Sequence, residues 1–304
     1  MSAMKIGISL GETANDPLGA LRDQIAQAEA DGFTSGWLAH IFGVDALTAL
    51  AVAGAGSGLE LGTAVVPTYP RHPAALAQQA STVQEALGGR LVLGIGLSHQ
   101  IVIEGMFGYS FDKPARHMRE YLDVLIPLLR DGRVDVTGDT ISGHLTMTAP
   151  RTHTTPVLLA ALAPVMLRLA GAVADGTILW MTGHDTVVNH VVPKLTAAAA
   201  DAGRSAPRVV CILPVAVTDD VAAARERAAK VFAVYGQLPS YRAMLDLEGA
   251  AGPADVAIVG DEAVVRGQIA ALAEAGVSDF VAAPFVTGGD GERTRELLVE
   301  LAAG

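Results

Sequence analysis

The chain has 304 residues, is 51% hydrophobic and carries a formal net charge of −11. That length fits two average domains or a single α/β barrel, and the composition can bury a large core. The acidic balance leaves no basic stripe for nucleic acid or an anionic membrane, and no apolar run reaches the roughly eighteen residues that a spanning helix needs.

No basic region precedes an apolar one between Met1 and Lys5, so no signal peptide is expected. Cys211 is the only cysteine, which excludes an internal disulfide and a cysteine-rich zinc site and points to a reducing cytoplasm. A small buried strand residue is the simplest reading of it.

In chain order, residues 5–10 read as a first strand, followed by a Gly/Asn/Asp/Pro turn. Leu18, Leu21, Ile25 and Ala28 then recur at helical spacing, with Gly32 as a C-terminal stop. Residues 35–40 form a second strand, 46–55 a short apolar helix and 60–66 a third strand. That strand ends abruptly at Pro67, and Thr68, Tyr69, Arg71 and His72 just past its end look like the wall of a site. Leu76, Ala80, Val83 and Leu87 mark the next helix, and 91–96 is the fourth strand.

The rhythm then breaks for about fifty residues, far beyond the usual loop length. This insertion, about 98–155, contains a helix with Met118, Leu122, Leu125 and Leu129 inward and a hairpin pattern over 134–147. Such insertions often shape a substrate pocket. Strands at 156–161, 176–181, 208–217 and 278–285 follow. Helices are expected at 164–174, 185–202, 219–235, 261–275 and 292–301, with a less regular stretch over 239–254.

Eight apolar strands separated by helices suit a parallel sheet covered on both faces. The expected architecture is an α/β (β/α)8 TIM barrel spanning 1–304, with its active site at the strand C-termini. A doubly wound sheet is the alternative that strand counting leaves open.

None of the four lysines (Lys5, Lys113, Lys194, Lys230) falls at a strand end, which disfavours a Schiff-base aldolase. Carboxylates are nearly absent there too, which disfavours a hydrolytic metal site, so no metal is expected. An apolar, glycine-rich mouth suits a flat organic cofactor. Gly94-Ile-Gly96-Leu-Ser-His99 begins like a dinucleotide fingerprint but has His99 where the third glycine belongs. It reads instead as small residues giving a ring room to approach the backbone.

His40 closes the second strand in apolar surroundings, where a near-neutral pKa would suit proton donation or hydrogen bonding to a cofactor. A structural histidine is the plainer reading. His99 and Glu104, at the start of the insertion, could meet a substrate or lie on a solvated loop. Tyr109, Arg116 and His117 read equally as surface residues at a helix start. Arg71 and His72 could supply local positive charge to an anionic ligand, or be ordinary surface residues. The segment 159–164 leads into a helix whose first turn carries Pro164, and its free N–H groups could hold a phosphate.

An ordered set of motifs along nearly the whole chain resembles the bacterial-luciferase-like oxidoreductases, and specifically their coenzyme F420-dependent branch. The motifs are Met4-Lys-Ile-Gly-Ile, Ala28-Glu-Ala-Asp-Gly-Phe, His40, Leu61-Gly-Thr-Ala-Val-Val-Pro and Arg71-His-Pro. They continue with Gly89-Arg-Leu-Val-Leu-Gly-Ile-Gly, Arg119-Glu-Tyr-Leu, Ala160 to Pro164 and Leu169-Ala-Gly-Ala-Val-Ala-Asp-Gly.

The resemblance implies a (β/α)8 barrel with an insertion after the fourth strand, a cofactor at the strand C-termini, a small-molecule substrate and a homodimer. It implies a non-proline cis peptide at Ala64-Val65 beneath the cofactor's central ring. Cofactor contacts would come from His40, from Ala64, Val65 and Val66, and from Gly96, Leu97 and Ser98. The phosphate would lie at Ala161, Leu162, Ala163, Pro164 and Val165, with Ala163 where relatives often have glycine.

Two positions depart from the F420-dependent alcohol and sugar-phosphate dehydrogenases. Val44 stands where they have tryptophan, and Leu97 where they have glutamate. The expected activity is therefore reduction of an activated C=C, C=O or C=N bond by hydride from reduced F420. The alternatives are an FMN-dependent monooxygenase on the same fold and a barrel that binds a flavin-like ligand without turnover.

Overall fold

The computed structural model describes residues 4–11, 16–149 and 152–304. Eight parallel strands close into a barrel: β1 (Lys5–Leu10), β2 (Ser35–Leu38), β3 (Glu60–Thr63, continued at Val66–Pro67), β4 (Leu91–Gly96), β5 (Val157–Leu159), β6 (Gly176–Trp180), β7 (Arg208–Val217) and β8 (Asp279–Pro284). Each pairs with the next in sequence. The ring shuts where β8 meets β1 with Lys5 opposite Asp279. A short ninth strand, Ile258–Gly260, extends the sheet outside the ring by pairing with the end of β7. Its three residues are too few to show a period, so the sequence pattern misses it.

The outer helices are α1 (Pro17–Ala30), α2 (Ala46–Ala53), α3 (Pro73–Ala86), α4 (Pro114–Asp131), α5 (Pro164–Val173), α6 (Val192–Asp201), α7 (Glu262–Glu274) and α8 (Gly289–Ala302). Many start on a side-chain cap that satisfies an otherwise orphaned N–H. Asp16 accepts from Gly19, Asp45 from Thr48 and Asp261 from Val264, each at 2.9 Å. The turn expected after β1 falls largely on 12–15, outside the described residues.

Three expected elements differ. The second strand ends at Leu38, because His40 turns away to accept from an amide of α2. The helix expected over 185–202 begins as a three-residue turn and a π-helical turn, Val187–Val191, before α6. Pro193 at the start of α6 has no N–H to continue an α ladder, and a π turn relieves that. The stretch 239–254 contains a true helix, Pro239–Glu248, closed by Gly249 at φ 73°.

The insertion between β4 and β5 contains a short helix that the pattern missed (Gln100–Gly105), then α4 and the expected hairpin. Arg133–Val136 pairs antiparallel with Gly143–Thr146. Glu120 of α4 accepts from the amides of Asp139, Thr140 and Ile141 in the hairpin turn and so fastens it to the helix.

Inside the barrel lie Trp37, Val92, Leu158, Ile178, Val210, Ile212 and Val281. At its N-terminal end Arg208 sits 5.8 Å from the Trp37 ring and bonds Asp279 Oδ2 through Nε at 2.8 Å, with Glu60 as a further partner. Asp279 is only 2% exposed. Removing one partner of a buried pair strands the other charge. Asp279→Ala is therefore expected to lower unfolding free energy by about 3 kcal/mol or more, read as a fall in denaturant midpoint. A midpoint equal to that of the parent would show that Glu60 alone suffices.

Candidate active site

The C-terminal mouth of the barrel is floored by the partly buried side chains of Ala64, Val65, Ala160, Trp180 and Ala283, which pack on the interior cluster. The floor contains a β-bulge. Gly62 pairs with Val92 and Val66 with Ile95, so Thr63, Ala64 and Val65 face only Leu93 and Gly94. The Ala64–Val65 peptide is cis, as the family resemblance implied. The Thr63 hydroxyl donates to Gly94 O at 2.8 Å and accepts from Gly94 N at 2.9 Å, so the side chain replaces the ladder bonds that the bulge interrupts.

The glycines of β4 serve this bulge. A Cβ at Gly94 would overlap the Thr63 carbonyl oxygen, and one at Gly96 would stand 2.7 Å from Val65 Cγ2. The space read from the sequence as room for a ring is thus filled by the neighbouring strand. After Gly96, Leu97 is half-buried and Ser98 takes φ 61°, an unusual angle for a residue with a side chain, turning the chain towards His99.

His40 lies at the edge of the mouth with its side chain 13% exposed. Its Nδ1 accepts from Ala46 N at 3.1 Å, so the neutral ring carries its proton on Nε2. Arg71 Nη1 is 3.4 Å from that nitrogen. Arg71 itself pairs with Asp45, which also accepts from Gln79 Nε2 at 3.1 Å. Burial works against the Asp45 charge, but bonds from the Thr48 amide and hydroxyl, with the Arg71 and His40 charges, hold its pKa below the ordinary value.

Two sequence expectations are corrected here. Arg71 is committed to Asp45 and is not a free charge for an anion. His72 caps α3, accepting from Ala74 N at 3.2 Å through Nδ1, while its Nε2 meets Ser142 O at 3.1 Å.

His99 is half-buried, its ring 5.5 Å from that of Tyr241, and burial lowers its pKa. Glu104 is exposed and accepts from Gln100 Nε2 at 2.9 Å and from Phe111 N at 3.2 Å, which knits the loop after the short helix. His40 meets Ala46, Arg71 and Asp45, whereas Glu104 meets Gln100 and Phe111. Ala161 is buried, Leu162 half-buried, and Ala163, Pro164 and Val165 are exposed at the start of α5. Ala163 occupies the cap position with no side-chain bond, so no side chain of its own competes for the first amides. His190 Nε2 meets Leu162 O at 2.7 Å and steadies that turn.

The turn after β3 meets the insertion through an aromatic stack. Tyr69 lies on His117 with centroids 3.8 Å apart and planes 3° apart, and Phe111 and Tyr121 flank the pair. His117, for which the sequence left a surface position open, is half-buried, and its Nε2 is 3.1 Å from Thr68 Oγ1. Burial pushes its pKa down to about 4, against the pull of Glu120. Arg116 does lie outward, paired with Asp139, and Tyr109 is exposed. Tyr121 was not singled out in the sequence, because at helical spacing it reads as one more apolar residue of the α4 face.

A second aromatic group, Trp180, Phe232, Tyr235, Tyr241 and Phe285, joins the ends of β6 and β8 to the segment after β7. Cys211 is buried, and burial raises its thiol pKa to about 12, consistent with a packing role. Among the described residues no helix is long and apolar enough to cross a membrane.

A closed parallel (β/α)8 barrel with an apolar floor at its C-terminal mouth defines a TIM-barrel enzyme. The chain belongs to the luciferase-like monooxygenase family, whose model matches residues 3–303. It is 34% identical over 190 residues to a putative coenzyme F420-dependent oxidoreductase of Mycobacterium tuberculosis, covering 58% of this chain and 55% of that protein. It is 29% identical over 269 residues to a 5,10-methylenetetrahydromethanopterin reductase of Methanolobus tindarius, covering 87% of this chain and 81% of the relative. The coenzyme F420-dependent tetrahydromethanopterin reductase of Methanopyrus kandleri superimposes with a TM-score of 0.79 at 22% identity, over 98% of both chains.

Proposed function

We propose that this chain is an F420-dependent oxidoreductase that reduces an activated C=C, C=O or C=N bond of a small organic molecule. The observation that carries the reading is the apolar floor of Ala64, Val65, Ala160, Trp180 and Ala283, with His40 at one edge. A flat ring system needs such a floor, and a phosphate-bearing tail needs the uncapped amides at Ala163 to Val165. These residues fit a deazaflavin, and its relatives' names point the same way.

Bound there, reduced F420 supplies the hydride. The protein's part is to position and to exclude water. The bulge would present Ala64 and Val65, with Val66 buried behind them, Gly96, Leu97 and Ser98 would line the adjoining side, and Leu162, Ala163, Pro164 and Val165 would shape the tail site over buried Ala161. His40 Nε2, beside the Arg71 guanidinium at the edge of the floor, is the ring nitrogen left to hydrogen-bond a bound cofactor. His99, just past the end of β4 with its ring against Tyr241, is the candidate proton donor on the substrate side. Glu104 acts one step away, by holding the loop that follows His99.

Titration of the purified protein with F420 and, separately, FMN tests this reading. Saturable F420 binding with weak or absent FMN binding is expected. Tight FMN binding without F420 binding would replace it with the flavin monooxygenase reading.

A further inference from the structure

Resting on that reading, we propose that the hydroxyls of Tyr69 and Tyr121, set about the His117 ring, form the polar wall of the substrate pocket and select an uncharged molecule with a hydrogen-bond acceptor, such as a ketone or enone. Both hydroxyls are buried and neither has a hydrogen-bond partner among the described residues. Tyr121 is 0% exposed. An unpaired buried hydroxyl is costly, so a fold that retains two of them on rings that both pack on His117 has a use for their donors.

Their place supports that use. Tyr69 follows the bulged strand by a few residues, and the amide of Thr68 bonds Gly96 O at 3.0 Å, which ties this turn to the end of β4. Tyr121 and His117 come from α4, in the insertion. The stack therefore occupies the seam between the mouth of the barrel and the insertion that walls it.

The electrostatics choose the ligand's charge. Burial, then the nearby Asp112 and Glu104 carboxylates, raise the Tyr69 pKa to about 12, so it stays a neutral donor. Tyr121 is raised likewise by burial, although Arg71 opposes the shift. His117 is uncharged at neutral pH, and the Arg71 charge is answered by Asp45. The wall thus offers donors with no unanswered positive charge, and two carboxylates stand beside Tyr69. An anion would meet repulsion without a counter-charge, whereas a carbonyl oxygen would meet a neutral O–H donor.

The test is isothermal titration of cyclohexenone, carvone and oxocyclohexene carboxylate into the parent, Tyr69→Phe and Tyr121→Phe, each with and without F420. The expected result is binding of the neutral enones, with the carboxylate at least about tenfold weaker. Each phenylalanine variant should weaken the enones about fivefold to tenfold, the loss of one neutral hydrogen bond. F420 affinity should stay as in the parent, and thermal melting should be equal or higher, because each variant removes a buried hydroxyl that has no partner. Unchanged enone affinity in both variants overturns the proposal, as does a carboxylate that binds as well as the enones, or a parent that binds neither enone. Should Tyr121→Phe not fold, Tyr69→Phe decides alone. Failure to bind F420 with intact, tyrosine-dependent enone binding would instead overturn the cofactor reading and leave this one standing.

Discussion

Replacing His40 by alanine is expected to lower turnover by about a hundredfold or more, the range for losing a positioned donor or acid. The prediction rests on the ring's fixed tautomer. Ala46 N–H holds Nδ1 as an acceptor, so Nε2 presents a proton from the edge of the apolar floor. The same substitution leaves the Ala46 amide without its acceptor and costs the fold about 1 kcal/mol. Melting and turnover must therefore be measured together, the latter as recovery of oxidised F420 absorbance across a panel of enones and imines. His40→Gln keeps an amide donor and should retain part of the activity. Turnover equal to that of the parent in His40→Ala would confine the residue to its contacts with α2 and Arg71.

The second large effect is expected from Gly94→Ala. A methyl group there has no free volume, because it would overlap the Thr63 carbonyl and stand 3.1 Å from Val65 Cγ1. Neither obstacle is the end of a flexible side chain, so the bulge itself must shift. It would then lose the paired bonds between the Thr63 hydroxyl and the Gly94 backbone. A cost of about 3 kcal/mol is expected, at the upper end for overpacking, with F420 affinity falling at least about tenfold as the floor moves. Parent-like melting and binding would mean that the strand absorbs the methyl group elsewhere.

These two residues differ in how visible they were beforehand. His40 stands out because a histidine at the end of an apolar strand is conspicuous in one dimension. Gly94 does not, since it looks like any small residue with room around it, and only the neighbouring strand shows that the room is taken. The same holds for Arg71 and His72. Their type suggested charge for a ligand, but type says nothing of partners. Asp45 lies 26 positions from Arg71, and Ser142 lies 70 from His72.

Sequence alone determined the order of the eight barrel strands and most of the helices between them, since these are carried by local period and by turn residues, and the resemblance carried by motifs in fixed order favoured the barrel over a doubly wound sheet. It also placed the cis peptide at Ala64–Val65, through residues 61–67 and the resemblance they carry. Tertiary structure alone decided which polar groups are already satisfied and which are not. Tyr69 and Tyr121 come from separate segments that both pack on His117, and a hydroxyl becomes an unpaired buried donor only when packing from both sides removes water without supplying an acceptor. Periodicity records which face of an element turns inward. It does not record what that face finds there.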